Sequence, residues 1–236
     1  MTQSRDAAFY DRRWTSAEVS NAKRLRGRTI SEVIEREGAA SLAILELGCG
    51  TGWLCNELSR FGDCLGVDIS SLAIEQARQA FPNPRFECVD LAEWRPEQTY
   101  NVVISHEVIE HLRDQRAHIQ LAYDALRPGG LFVLTTPNAF AAYGADLEIR
   151  HGYELQPIEN WLYLDEAKAL IEGVGFTIES LTTISPWRPY RNRLLRAFVS
   201  FRLESLASRV GTGDAWARMK GRLGLNESIF AVARRR

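Results

Sequence analysis

No apolar run in this chain approaches the ~20 residues needed to cross a bilayer, and its opening, Met1-Thr2-Gln3-Ser4-Arg5-Asp6, lacks the apolar stretch of a secretion signal. A cytoplasmic protein is expected. Cysteine is scarce. Cys49, Cys55, Cys64 and Cys88 form no C-x-x-C pair and no metal-ligand spacing, which excludes a disulfide scaffold and leaves reduced thiols packed as small hydrophobes. Internal repeats and low-complexity tracts are missing too, so solenoid architectures are excluded. Net charge is almost nil at −1 over 236 residues, but it is uneven: residues 185–236 carry 12 Lys+Arg against three acids. That asymmetry points to an anionic partner for the basic part.

What is present is one ordinary globular composition, 45% hydrophobic and 25% charged, long enough to bury a core without staples. Residues 1–40 read as polar cap helices ending at Gly38, with Phe9, Tyr10 and Trp14 as an aromatic group that either packs on the domain or covers a pocket. A core follows over 41–184, then a basic helical insertion over 185–227, then a final strand and tail over 228–236. The centre of the chain is Ile44-Leu45-Glu46-Leu47-Gly48-Cys49-Gly50-Thr51-Gly52, a short apolar run broken by one acid and closed by three alternate glycines. Such glycines suit a tight turn and would ruin a helix. Trp53 to Arg60 then reads as a helix, with Leu54 and Leu58 four apart. Strand, glycine turn and helix start a nucleotide-binding unit, in which a ligand meets bare backbone and a helix N-terminus.

Further acids follow at strand ends. The second strand, Asp63 to Val67, closes on Asp68, 20 residues beyond Gly48 and at the offset of a ribose-binding acid. Ser70 or Ser71 caps the next helix, which runs to Ala80. The third strand, Arg85 to Val89, ends in Asp90-Leu91. The fourth, Tyr100 to Ser105, runs into His106-Glu107-Val108-Ile109-Glu110-His111-Leu112. On a helix, Glu107, Glu110 and His111 would share one face at i, i+3 and i+4, an arrangement able to hold a divalent cation such as Mg²⁺. His118 reads as a surface histidine. Pro128-Gly129-Gly130 is a turn into a fifth strand, Leu131 to Thr136; Asp165 caps a helix to Val174; Phe176 to Ile184 and Ser228 to Ala233 are the last strands, the latter followed by a solvated Arg234-Arg235-Arg236 tail.

The glycine turn resembles motif I of the class I S-adenosylmethionine-dependent methyltransferases, E-x-G-x-G-x-G, and departs from G-x-G-x-x-G because its third glycine comes one residue early. With Val108-Ile109-Glu110-His111-Leu112, Leu126-Arg127-Pro128-Gly129-Gly130-Leu131 and Thr135-Thr136-Pro137-Asn138, roughly residues 42–184 resemble the branch of ubiquinone-biosynthesis O-methyltransferases. The resemblance implies a doubly wound seven-stranded α/β sheet, Rossmann-like, with its last strand antiparallel and a helical insertion before it. It also implies S-adenosylmethionine as cofactor: Glu46 toward the amino group, Asp68 with Ile69 at the ribose, Asp90 with Leu91 at the adenine, and Gly48, Cys49, Gly50, Gly52 and Ser105 as neighbouring contacts. His106 or His111 would be the base for a hydroxyl acceptor, unless a metal on Glu107, Glu110 and His111 acidifies it.

A small-molecule acceptor methylated on oxygen is the leading expectation. An RNA-terminal 2′-O-methyltransferase is weakened by the acidic core, since phosphate wants a basic face, and nucleic acid is an unlikely partner. His151 is a possible counterpart of that group's later metal-binding histidine. A catalytically silent cofactor-binding or membrane-associated module is the third reading. Within the insertion, Leu195, Phe198, Val199 and Leu203 make an apolar stripe and Arg191, Arg193 and Arg196 fall off it, so residues 190–210 could touch a membrane surface or close over the acceptor.

Overall fold

The computed structural model of the chain describes residues 4–14, 20–39, 41–143, 156–185, 206–207 and 213–236. His151, Tyr153 and the arginines at 191, 193, 196 and 209 lie outside the described residues, as does the expected 190–210 helix apart from Leu206 and Ala207.

Seven strands form one sheet: β1 (Leu42–Leu47), β2 (Gly62–Asp68), β3 (Arg85–Cys88), β4 (Tyr100–His106), β5 (Leu126–Pro137), β6 (Phe176–Ile184) and β7 (Ser228–Arg235), in the order β3-β2-β1-β4-β5-β7-β6. The first five run parallel, and β7 lies antiparallel between β5 and β6. This is the expected architecture. Strands buried on both faces need continuous apolar runs, and β1, β2 and β4 supply them.

The pleat sorts side chains onto two cores. Leu45, Leu47, Val103, Phe132 and Leu134 face α5 (Gln115–Ala125) and α7 (Leu164–Val174). Ile44, Val102, Ile104 and Val133 face α2 (Asn21–Arg36), α3 (Trp53–Leu58) and α4 (Ser71–Ala80). Other helices are α1 (Ser4–Arg13), α6 (Ala139–Tyr143) and α8 (Gly213–Arg222). No helix among the described residues is long and apolar enough to cross a membrane.

Several local expectations are corrected. Pro128-Gly129-Gly130 does not precede β5 but bulges within it, with Gly129 at φ 75° and the register jumping between Tyr100 and Val102. The cap of α7 is Tyr163, not Asp165, and the Glu166 carboxylate accepts from the Tyr163 N–H at 2.9 Å. The terminal arginines are no solvated tail. Arg234 ion-pairs with Glu37 and Glu179, tying β7 to the end of α2 and to β6, and the Arg235 guanidinium lies 4.7 Å over the Tyr123 ring. Ser70 does cap α4, accepting from the Ala73 N–H at 3.1 Å.

Gly62 opens β2 at φ 151°, where an added Cβ would lie 2.1 Å from the Leu42 carbonyl oxygen. Backbone cannot yield as a flexible side chain would, so Gly62→Ala is expected to destabilise the fold by about 2–4 kcal/mol. Urea unfolding checks this. A midpoint equal to the parent's would show that β1 and β2 do not approach so closely.

Candidate functional site

The carboxyl ends of the parallel strands open onto a cavity of about 850 Å³. Its geometry starts at the glycine turn after β1. Gly48 and Cys49 both donate backbone N–H groups to the Val67 carbonyl, at 2.8 and 3.0 Å, which folds the turn back onto β2. Gly48, Gly50 and Gly52 all have positive φ, and a Cβ on Gly50 would strike the Trp14 ring at 2.6 Å. The turn needs its glycines both for conformation and for the closeness of what lies on it. Trp14, just beyond α1, therefore covers the turn.

Three acids stand on adjacent strands around that turn. Asp68 takes the Gly50 N–H on one oxygen at 2.8 Å and the Ser70 N–H on the other at 2.9 Å; burial still pushes its pKa up. Glu46 points to the α3 side of the sheet, is 2% exposed, and accepts from the Cys55 thiol at 2.9 Å. Burial raises its pKa to about 8. Asp90, beyond β3, accepts the Ala92 N–H at 2.9 Å. Glu46, Asp68 and Asp90 all line the cavity, with Gly48, Cys49, Gly50, Ile69 and Leu91. Gly52 and Ser105 do not line it. Gly52 packs against Phe86 and Ala77, and the Ser105 hydroxyl is hydrogen-bonded to His118 Nε2 at 2.9 Å.

The segment after β4 differs from the helix expected there. Glu107 has φ 58°, and only a single 3₁₀ turn, Ile109–His111, follows. Glu107, Glu110 and His111 thus do not share a helix face, and each is committed to protein partners. Glu107 accepts from the Thr135 hydroxyl at 3.0 Å and lies 3.4 Å from Arg26; Glu110 accepts from Thr136 at 3.0 Å. His111 donates from Nδ1 to the Ile158 carbonyl at 3.1 Å, and its Nε2 receives the Gln156 amide at 2.9 Å. That pair of bonds defines a neutral tautomer, and burial with Arg13 and Lys23 nearby lowers the His111 pKa. Among the described residues no group of three or more His, Cys, Asp and Glu could hold a metal. The donor set does not fit the expected divalent cation.

His106 ends β4 with its ring edge-on to Trp53, centroids 5.8 Å apart, and lines the cavity at 8% exposure. Its Nε2 is buried without a hydrogen-bond partner. Burial, Arg26 and Lys23 hold its pKa well below the usual value.

His118 corrects the expectation of a surface residue. It is 3% exposed, lines the cavity, leaves Nδ1 buried and unpartnered, and has its pKa lowered to about 4 by burial. A signal was available, because His118, Ala122 and Ala125 fall on the buried stripe of α5. Arg26 was missed in the same way: Arg26, Ile30 and Ile34 make the buried stripe of α2, and the guanidinium reaches Glu107, Glu227 and the Ser228 hydroxyl.

Comparison with known proteins follows the geometry. Residues 21–184 match the family described as Methyltransferase domain. Over 122 residues the chain is 32% identical to a ubiquinone biosynthesis O-methyltransferase of Bradyrhizobium sp. (strain ORS 278), covering 47% of this chain and 48% of that one. It is 29% identical over 137 residues to a malonyl-[acyl-carrier protein] O-methyltransferase of Bacillus cereus (strain ATCC 14579), covering 55% and 49%. The chain thus spans about half the length of the curated relatives it matches. Among solved structures, the N-methyltransferase NodS from Bradyrhizobium japonicum WM9 in complex with S-adenosyl-L-homocysteine shares the fold, with TM-score 0.64, 14% identity and 98% of each chain covered.

Glu46 generates a pH prediction. With its folded pKa raised from 4.5 to about 8, the folded protein keeps a proton that the unfolded chain releases between those values. Its contribution to stability is full below pH 4.5 and is lost as pH rises toward 8. Glu46→Gln should flatten that decline and exceed the parent's stability at the alkaline end by up to roughly 4–5 kcal/mol. Unfolding curves for both proteins across this range are the check. Parallel declines would mean that Glu46 is already ionised in the free fold.

Proposed function

The chain belongs to the S-adenosylmethionine-dependent methyltransferase family, and from that premise we propose that it transfers a methyl group to an oxygen of a small molecule. The observation that carries the reading is the row of acids on adjacent strands, Glu46, Asp68 and Asp90, around a turn that only glycines can make.

These residues fit the cofactor. Each Asp68 oxygen keeps a lone pair free after its backbone bond, enough to accept two ribose hydroxyls. Glu46, held neutral by burial, would ionise when an ammonium group arrives beside it. Asp90 and Leu91 suit the amine and the face of the adenine. When bound, the cofactor supplies a methyl group already activated on a cationic sulfur. The protein's work is then placement and exclusion of water. His106 Nε2, the buried unpartnered atom on the cavity wall, faces the acceptor oxygen in this reading. No step is assigned to a divalent metal, because among the described residues no group of three or more His, Cys, Asp and Glu is placed to hold one. Methylation on oxygen is supported by the two named relatives, both O-methyltransferases.

Asp68→Ala should weaken S-adenosylhomocysteine binding by about 2–4 kcal/mol, through loss of charge-assisted hydrogen bonds and loosening of the turn. Calorimetry on a variant shown to be folded by circular dichroism measures it; parent-like affinity would put the cofactor elsewhere. His106→Asn should keep that affinity and lower turnover by at least about tenfold. Turnover equal to the parent's would remove His106 from the acceptor's side.

A further inference from the structure

Two cations line the cavity with no carboxylate in ion-pair contact among the described residues. Arg13 ends α1 and Lys23 lies in the first turn of α2; among the described residues neither makes an ion pair. The Lys23 ammonium stands 5.6 Å from the centroid of the Trp14 ring. Arg26 is different, lying between Glu107 and Glu227. Burial and Arg13 lower the Lys23 pKa by more than Glu107 and Glu110 raise it, as expected of an ammonium lacking a close counter-ion. These cations act where the acceptor oxygen would sit. His106 feels Arg26 and Lys23, and His111 feels Arg13 and Lys23.

The same region is poor in bases. Both His111 nitrogens are engaged, the Glu107 and Glu110 carboxylates receive Thr135 and Thr136, and His106 is kept neutral by burial and by neighbouring positive charge. A hydroxyl acceptor would find its candidate bases either engaged or, as with His106, weakened by neighbouring positive charge. A nucleophile that arrives already ionised needs none, and its charge would relieve the repulsion around Lys23.

We propose that the acceptor is a carboxylic acid whose carboxylate is held by Lys23 and Arg13, and that the product is its methyl ester. The inference rests on the methyltransferase reading above. A carboxylate oxygen attacks the methyl carbon with its lone pair, the new C–O bond forms as the C–S bond breaks, and that bonding pair stays on sulfur. No proton moves. Sulfonium and carboxylate become a neutral thioether and a neutral ester, a loss of charge that a water-poor cavity favours. His106, as the tautomer protonated on Nε2, donates to the carboxylate.

The test offers the full chain methyl-labelled S-adenosylmethionine with aromatic and aliphatic carboxylic acids, each beside the alcohol or phenol of the same carbon skeleton. Mild alkali then frees labelled methanol from an ester and leaves an ether intact. The expected result is alkali-labile label on acids alone. Lys23→Met should raise the KM for the acid by at least about tenfold while S-adenosylhomocysteine affinity holds. Calorimetric binding of the acid to the protein saturated with S-adenosylhomocysteine should weaken in Lys23→Met and in Arg13→Gln. Alkali-stable label overturns the carboxylate and leaves the methyltransferase reading standing. So does a protein that binds S-adenosylhomocysteine but neither binds nor labels any acid. If Lys23→Met loses S-adenosylhomocysteine affinity at unchanged KM, Lys23 belongs to the cofactor and the proposal fails. A parent protein that does not bind S-adenosylhomocysteine defeats the earlier reading itself.

Discussion

One buried carboxylate organises the site. Asp68 accepts the Gly50 N–H on one oxygen and the Ser70 N–H on the other, joining the glycine turn after β1 to the start of α4. Charge-assisted bonds of this kind contribute roughly 1.5–3 kcal/mol each. Without them two backbone donors at the mouth of the cavity would lose their partner. The cap hangs from the same place, because the Ser70 hydroxyl donates to Asp11 of α1 at 2.6 Å and Asp11 also accepts the Leu72 N–H at 3.2 Å. Trp14, three residues beyond Asp11, is thereby set on Gly50. A ligand meeting Asp68 therefore meets a turn, a helix start and a cap already fixed to one another, and little ordering remains to oppose binding.

Much of this was legible in the residues. The central parallel strands were legible as short, largely apolar runs, since a strand covered on both faces has little polar side to display. The antiparallel last strand was implied by the family resemblance, although more than forty residues separate β6 from β7. What could not be read depends on contacts distant in sequence. Glu107 looks like the first residue of a helix, yet its N–H donates to Thr135 and its side chain meets Thr135 and Arg26, and these hold it in the left-handed region. Arg234 looks like a tail residue and becomes a strand residue because Glu37 and Glu179 converge on it. His118 differs again: its polar side chain suggests the surface, but its place on the amphipathic stripe of α5 puts it inside.

Burial shifts the titratable groups around the cavity toward their neutral forms. At the glycine turn, Glu46 and Asp68 have pKa values raised by burial, so negative charge there is suppressed until a cation compensates it. Toward the cap, Lys23, His106 and His111 have pKa values lowered by burial and by one another, so positive charge is suppressed until an anion arrives. Glu110 and Glu227 stand on that same side with pKa values raised by burial, so acids and cations alike are held back from ionising there. In the proposed reaction a cofactor bearing an ammonium and a sulfonium would favour ionised acids at the first end, and an anionic acceptor would favour the cations at the second.

This arrangement also bears on the order of events. Filling the acid-lined end brings a net positive ligand into the cavity, which makes the cation-lined end less favourable for a second cation and more favourable for an anion. With the proposed anionic acceptor the two sites would be coupled through the field, and reciprocally: the acceptor would tighten the cofactor by the factor that the cofactor tightens it. In the proposed transfer, sulfonium and carboxylate would be consumed together, removing the charge that held both ligands. The ester would have no formal charge with which to answer Lys23, so the interaction that draws the acceptor in would be lost as product forms.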